Sequence, residues 1–398
     1  LRVENSANIR GPISSPEIEA FAIGFDDGPI QGPSHIAWLL ESTALQSGWP
    51  LNKSLGSETD LLERFKASRD AVRGAIRIVE ARGSMRMRRG CRGGLQLQTP
   101  RVETASVALA IYLRTHGYAP QEMEAAAATL APLLPRSAAG EAIRALIKHA
   151  AAMMSDDMSI VAGSDNRAES FAMEIIVNAG SPLPAEGVRI GNEAKLCGET
   201  GLGHRTFRQA LNILEDLDML QVSRGRGGGY ILKPASFMGV VRRIFVLLAS
   251  RQTSPGQVRE ALFAIRAGIL RLALTKLRTA PAQRREQWCI STLDMMLPLS
   301  EPRRWVALQH AIDELAGDRL TKTLASAIVA YTARTAPPLE CHEPIDLGLA
   351  AAERGVVSAI AADLPAQAEH HLHAGQGLLT SLNRQHEKPI FCTHTPCS

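Results

Sequence analysis

The sequence predicts a mainly α-helical protein in which two copies of a small helical unit, each closed by a β-hairpin, stand beside all-α bundle regions. Three observations predict it. The stretch 58–97 returns 135 residues later as 193–232 without a gap. Identical pairs include Glu58/Glu193, Leu61/Leu196, Arg73/Arg208, Ala75/Ala210, Glu80/Glu215, Arg89/Arg224, Gly94/Gly229 and Leu97/Leu232, the mark of an internal repeat of one supersecondary unit. Within the stretch the apolar period changes from helical to alternating. Aromatic residues make up only 4% of the 398 positions and alanine is abundant, which favours close-packed helices over sheets.

Residues 1–33, rich in Gly, Pro, Ser and Asp, read as a flexible arm. Ser34 is placed to cap a helix whose Ile36, Ala37, Leu40 and Ala44 keep helical spacing. Shifted by 135, these positions become Phe171, Ala172, Ile175 and Ala179, so the repeat takes in a leading helix. Gly/Pro turns at 48–50 and 180–184 follow. A short helical segment over 59–66 then leads, through a turn at Ala67-Ser68, into a longer helix. There Val72, Ala75, Ile76 and Val79 form one apolar stripe, while Arg69, Arg73 and Arg77 share a different face. After Gly83, Met85 and Met87 alternate with Arg86 and Arg88; a glycine-arginine turn and the alternating Leu95-Gln96-Leu97 complete a hairpin. Helix, turn, helix and two-stranded wing together make a winged helix-turn-helix, whose second helix fits the major groove of a duplex. The two such domains are expected over 34–100 and 166–234.

Between them a short helical domain, 101–165, carries three helical segments. From 235 to 380 the apolar periodicity is helical throughout, in segments near 236–250, 255–277, 281–297, 302–315, 318–334 and 346–374, and the region reads as an all-α domain. Residues 381–398 read as a flexible tail.

The formal charge of +4 is unevenly placed. Residues 55–98 hold ten Lys and Arg against five acids, a local excess of +5, while the remainder is about neutral. That local basic surface suits a polyanion. No run approaches 18 apolar residues, so no membrane partner is expected. The start lacks a signal-peptide pattern and the six cysteines are scattered, which together give a cytoplasmic, nucleoid-associated expectation.

Four motifs carry a resemblance. They are Ser57-Glu58, Ser68-Arg69-Asp70-Ala71-Val72-Arg73, Val79-Glu80-Ala81-Arg82-Gly83 and the glycine-arginine turn over 89–94. In these the chain resembles the GntR family of bacterial transcription regulators, and in plan it is similar to the FadR-like (FCD) branch with an all-helical ligand-binding and dimerising domain. The resemblance implies that Ser68 caps the recognition helix, that Arg69 and Arg73 contact DNA, and that Gly90 to Gly94 bring the wing to the minor groove. With Arg77, Arg89, Arg92 and Gly93 these make the first set of DNA-binding residues. The second copy supplies His204, Arg205, Arg208, Arg224 and Arg226. It keeps Glu193, Arg208 and Leu214-Glu215, but has Gly203-His204 in place of Ser-Arg and Asp218 in place of the closing glycine. The family carries one such domain per chain, and the tandem form departs from it. The implied function is that of a sequence-specific regulator, a repressor controlled by a small metabolite such as an organic acid. Its implied partner is double-stranded operator DNA, bound by a homodimer or by a pseudo-dimeric monomer. The alternatives are a non-sensing DNA-binding or scaffold protein and a small-molecule enzyme.

The family's metal site is expected to be lost, and no cofactor is expected. Trp305 and Gln309 stand where an Asp and a first His are required, and Glu353 stands near the third ligand. His310 is one residue out of register, which leaves it with His371 and His373 as the weak metal candidates. Cys392, His394 and Cys397 offer three donors, too few for a closed four-ligand site. No nucleophile–base set or phosphate-binding glycine loop occurs in a credible context, so no enzyme is expected.

Overall fold

A computed structural model describes residues 32–51, 53–90, 93–154, 167–200, 203–223, 228–297, 301–335 and 343–384. Of the expected arm over 1–33, residues 1–31 lie outside the described residues, as do residues 385–398 of the expected tail over 381–398, together with Cys91, Arg92, Arg224, Arg226 and the side chain of Arg205. The helices Gly32–Gln46 and Pro365–Arg384 take in the rest of both, so Ser34 lies inside its helix and does not cap it. The described residues are mainly α-helical with two small antiparallel sheets. Compactness divides it into two units. One comprises Phe25–Ala127 and Glu141–Thr253; the other comprises Leu1–Gly24, Ala128–Gly140 and Ser254–Ser398. The segment 101–165 is shared between them.

The first unit opens with α1 (Gly32–Gln46), α2 (Glu58–Phe65), α3 (Arg69–Ala81), β1 (Met85–Arg88), β2 (Gly94–Leu97) and α4 (Val102–Thr115). After α5 (Pro120–Leu130) and α6 (Ala138–Met154) come α7 (Arg167–Ala179), β3 (Val188–Gly191), α8 (Glu193–Thr200), α9 (His204–Asp216), β4 (Leu220–Ser223), β5 (Gly229–Leu232) and α10 (Phe237–Ser250). The starts of α1, α2, α3, β1, β2 and α4 are each followed 135 residues later by those of α7, α8, α9, β4, β5 and α10. The correspondence therefore runs past the second hairpin into α4 and α10, which share a single identity, Leu113/Leu248.

Each stretch becomes helical for a local reason. Ser57 begins α2 with a reciprocal cap: its hydroxyl accepts from the Asp60 amide at 3.3 Å, and the Asp60 carboxylate accepts from the Ser57 amide at 2.7 Å. Lys66 ends α2 in the left-handed region at φ 48° and turns the chain toward α3. Ser68 caps α3 by accepting from the Ala71 amide at 3.2 Å. The expected stripe Val72, Ala75, Ile76 and Val79 is buried against α1, where Ile36, Ala37, Leu40 and Ala44 are also buried. Its counterpart in α9 is Phe207, Ala210, Leu211 and Leu214, and Phe207 meets Phe171 of α7 with rings 6.0 Å apart.

β1 and β2 pair with Met85 opposite Leu97 and Arg88 opposite Gly94, and Ser54 bridges Gln96 on the outer side. The second sheet is three-stranded in the order β3-β5-β4. The third strand goes beyond the expected two-stranded hairpin; Val188–Gly191 is only four residues long, too short for its alternation to stand out, and a β-bulge breaks its register between Arg189 and Gly191. α4 and α10, each buried over most of its length, pack on each other, with Tyr112 and Phe237 rings 6.1 Å apart. Trp38 of α1 reaches Phe245 of α10 at 5.4 Å.

The second unit contains α11 (Pro255–Thr279), α12 (Ala282–Met296), α13 (Glu301–Ala316), α14 (Arg319–Thr335), α15 (Glu343–Ala361) and α16 (Pro365–Arg384). α11, capped by a reciprocal Ser254–Gln257 pair, is its longest element and packs against α13, α14 and α16. The run read as one helix over 346–374 is a helical hairpin. Asp363 adopts φ 56° and Pro365 opens the next helix, so the chain reverses between two faces with the same apolar period. Among the described residues no helix is long and apolar enough to cross a membrane.

Candidate nucleic-acid interface

The exposed side of α3 is built by its buried side. With Val72, Ala75, Ile76 and Val79 turned inward, the 3.6-residue period leaves Arg69, Arg73 and Arg77 exposed. Glu58, at the start of α2, organises two of them: its Oε1 accepts from Arg73 Nε at 2.8 Å and lies 3.9 Å from Arg69 Nε. The second copy reproduces this arrangement. Glu193 Oε1 lies 3.5 Å from Arg208 Nε and 3.3 Å from His204 Nδ1. Arg73 is 50% exposed and Arg208 73%. Such surface pairs contribute about 0–1 kcal/mol each, whereas a bidentate arginine–guanine contact contributes about 1–3 kcal/mol. The glutamates can therefore orient the guanidinium groups and still release them.

The two helices differ at their starts. Ser68 caps α3, while Gly203 opens α9 with no side-chain cap. Arg69 presents a guanidinium fork where His204 presents an imidazole.

The hairpin glycines are set by the chain itself. A Cβ on Gly94, whose φ is +127°, would lie 2.4 Å from Ser54 Oγ and 2.7 Å from the Gly56 carbonyl oxygen. One on Gly93 would lie 2.4 Å from the Arg88 oxygen, inside a turn closed by Gly93 N donating to Gly90 O at 2.8 Å. Gly229 repeats the approach, 2.4 Å from the Gly191 oxygen. Arg86, Arg88 and Arg89 are exposed along the hairpin.

Among the described basic residues of the +5 segment, Arg82 does not reach the surface. Arg82 caps the end of α3 and is buried. It donates from Nε and Nη2 to Asp216 Oδ1 at 3.0 and 2.8 Å, and from Nη1 to Glu41 Oε2 at 2.5 Å. Arg243 Nε donates to Asp216 Oδ2 at 2.8 Å, and the Ser84 hydroxyl donates to Glu41 Oε1 at 2.8 Å. Burial disfavours the Asp216 carboxylate, but Arg82 and Arg243 outweigh it and hold the carboxyl below its ordinary range. Burial dominates at Glu41 and pushes its carboxyl up, against the pull of Arg82 and Ser84. Beside this network Arg77 stands near Glu215, whose carboxyl is held above its ordinary value by partial desolvation against the opposing pull of Arg77. The C-terminal ends of α3 and α9 therefore meet. Sequence reasoning missed this network, although its signal was present: 135 residues from Arg82, Glu41 and Ser84 stand Leu217, Ile176 and Met219.

In the bundle unit, Trp305 and Gln309 are buried, and the fully buried Glu353 accepts from Arg304 Nε at 2.9 Å. A metal at this carboxylate would have to displace the Arg304 guanidinium. His310 and His371 are half-buried and His373 is exposed. His371 packs where a Cβ on Gly355 would meet its ring. Among the described residues no three His, Cys, Asp or Glu side chains are placed to hold a metal ion.

No protein-family model matches the chain, and no curated protein matches it. Among solved structures, the chain is similar to a GntR protein of Streptococcus agalactiae. The two are 18% identical, the likeness covers 55% of this chain and 98% of the other, and the TM-score is 0.35.

Proposed function

We propose that this chain is a sequence-specific duplex-DNA-binding regulator of the GntR type, with two winged helix-turn-helix domains that present α3 and α9 as recognition helices. The observation that carries the reading is the duplicated Glu–Arg arrangement. Glu58 with Arg73 and Glu193 with Arg208 each hold an exposed guanidinium on a helix whose opposite face is buried. Ser68, Arg69, Arg73 and Arg77 contact DNA through α3, His204, Arg205 and Arg208 through α9, and Arg89, Arg92, Gly93, Arg224 and Arg226 through the wings. Arginine supplies two donors to a guanine edge or to a phosphate, and the +5 segment supplies the counterion-release term common to all sequences. The regulator represses by occupying its operator, and an organic-acid effector bound in the 235–380 region changes DNA affinity by reciprocal coupling.

Gel-shift titration of fragments from the protein's own promoter region against random DNA tests the core of this reading. Preferential retention of one fragment at physiological salt is expected; equal affinity for all of them rejects it. Thermal-shift screening of organic acids tests the effector: a stabilising acid should also alter retention, and stabilisers that leave retention unchanged remove the sensor.

A further inference from the structure

We infer that the buried Arg82–Asp216 network is a pairing lock that makes the two unlike modules of one chain partners of each other, so that the ligand they fit is a duplex with two unlike half-sites read by a single chain. The ligand in this inference rests on the DNA-binding reading above; the lock itself does not.

The network joins the end of α3 to the end of α9 through four charged side chains, each no more than 3% exposed. None has a charged counterpart in the other copy: Arg82 corresponds to Leu217, Asp216 to Ala81, Glu41 to Ile176 and Arg243 to Ala108. Pairing of two first modules would put an alanine where Asp216 now accepts two hydrogen bonds from Arg82. Pairing of two second modules would put a leucine where Arg82 now donates them. Either pairing leaves a buried charge short of a partner, the arrangement that buried ion pairs penalise most. Polar groups buried at a helix contact are known to select partners in this way.

The same junction sets the ligand. α3 and α9 each have 13 residues, or about 20 Å of helix. With their C-terminal ends together, their N-terminal ends lie up to about 40 Å apart. That span accommodates half-sites one turn apart, roughly 34–36 Å. Arg69 stands at one start and His204 at the other, so the half-sites differ in sequence.

The test uses the full chain. Arg77→Cys/Glu215→Cys protein is prepared unlabelled and fully 15N-labelled, mixed, unfolded and refolded together, oxidised and digested. Disulfide-linked α3–α9 peptides are expected to carry one label only; a statistical share of mixed-label pairs overturns cis pairing. Adding Asp216→Ala, which installs the first copy's residue, should make mixed-label pairs appear, and their continued absence overturns the lock. Asp216→Asn, which keeps the side chain's shape, serves if circular dichroism shows the alanine variant unfolded. Selection from a random duplex pool by the wild-type chain, followed by native mass measurement, tests the ligand. The expected consensus has two dissimilar halves and binds one chain per site. A palindrome occupied by two chains overturns the inference with the DNA-binding reading intact, and a pool that enriches nothing overturns both that reading and the ligand assigned here.

Discussion

Arg73 and Arg82 have the same side chain and lie nine residues apart in one basic segment. Burial alone separates their roles. Arg73 is half exposed and held by one surface glutamate, so its replacement should matter to a ligand and little to folding. Arg73→Ala is expected to weaken specific DNA binding by about 1–3 kcal/mol and relax selectivity, with a change in stability within about 0.5 kcal/mol. Fluorescence anisotropy and chemical unfolding measure the two quantities. Asp216 is the opposite case. Removing its charge leaves Arg82 and Arg243 buried beside a neutral group, so Asp216→Asn should cost about 3–5 kcal/mol of stability. Glu41→Gln should cost less, because burial already raises that carboxyl toward its neutral form. The pH dependence follows from the opposed shifts. Asp216, with its folded pKa lowered from 3.8, contributes stability that is present above that value and lost as pH falls below it. Glu41, raised from 4.5, contributes stability that is present below 4.5 and lost as pH climbs through its folded value. Urea unfolding between pH 3 and 7 should show the acid-side loss diminished in Asp216→Asn and the loss above pH 4.5 diminished in Glu41→Gln.

Among the elements, α3 was legible because its apolar stripe, its Ser68 cap and its arginine face are all local patterns, and the structure places Val72, Ala75, Ile76 and Val79 inside as the spacing required. The match of α4 to α10 was not legible. Helices buried on every side tolerate any apolar residue of suitable volume, so the two diverged to a single identity while keeping their places. β3 was missed because four residues, Val188 to Gly191, are too few for an alternating period to stand out from the surrounding turn. Ser68→Ala removes the hydroxyl that accepts from the Ala71 amide and should cost about 0.5–2 kcal/mol. Gly203 has no such bond to lose, so Gly203→Ala should cost less. Gly94→Ala combines a positive φ with a clash against Ser54 and Gly56 and should destabilise by more than about 1 kcal/mol. Differential scanning of the three variants gives the order.

At the scale of the molecule, the repeat places α3 and α9 in one chain, and the buried charges join their C-terminal ends. On the proposed reading, fusion would raise the effective concentration of the second helix at the duplex, so that α9, uncapped and with His204 at its start, would contribute after α3 has docked. The charges at this junction were invisible to a reading that counted every arginine as surface; comparing the copies position by position separates Arg82, opposite a leucine, from Arg73, opposite an arginine. The most direct test of duplex reading through α3 is anisotropy titration of the full chain, wild type and Arg73→Ala, on its best promoter fragment and on random duplex at several salt concentrations. Wild type should prefer the fragment by about 10³-fold or more. Arg73→Ala should lose about 5- to 150-fold of that preference, as a base contact of 1–3 kcal/mol requires. Equal wild-type affinity for fragment and random duplex at physiological salt, or an Arg73→Ala variant that retains full preference, would contradict it.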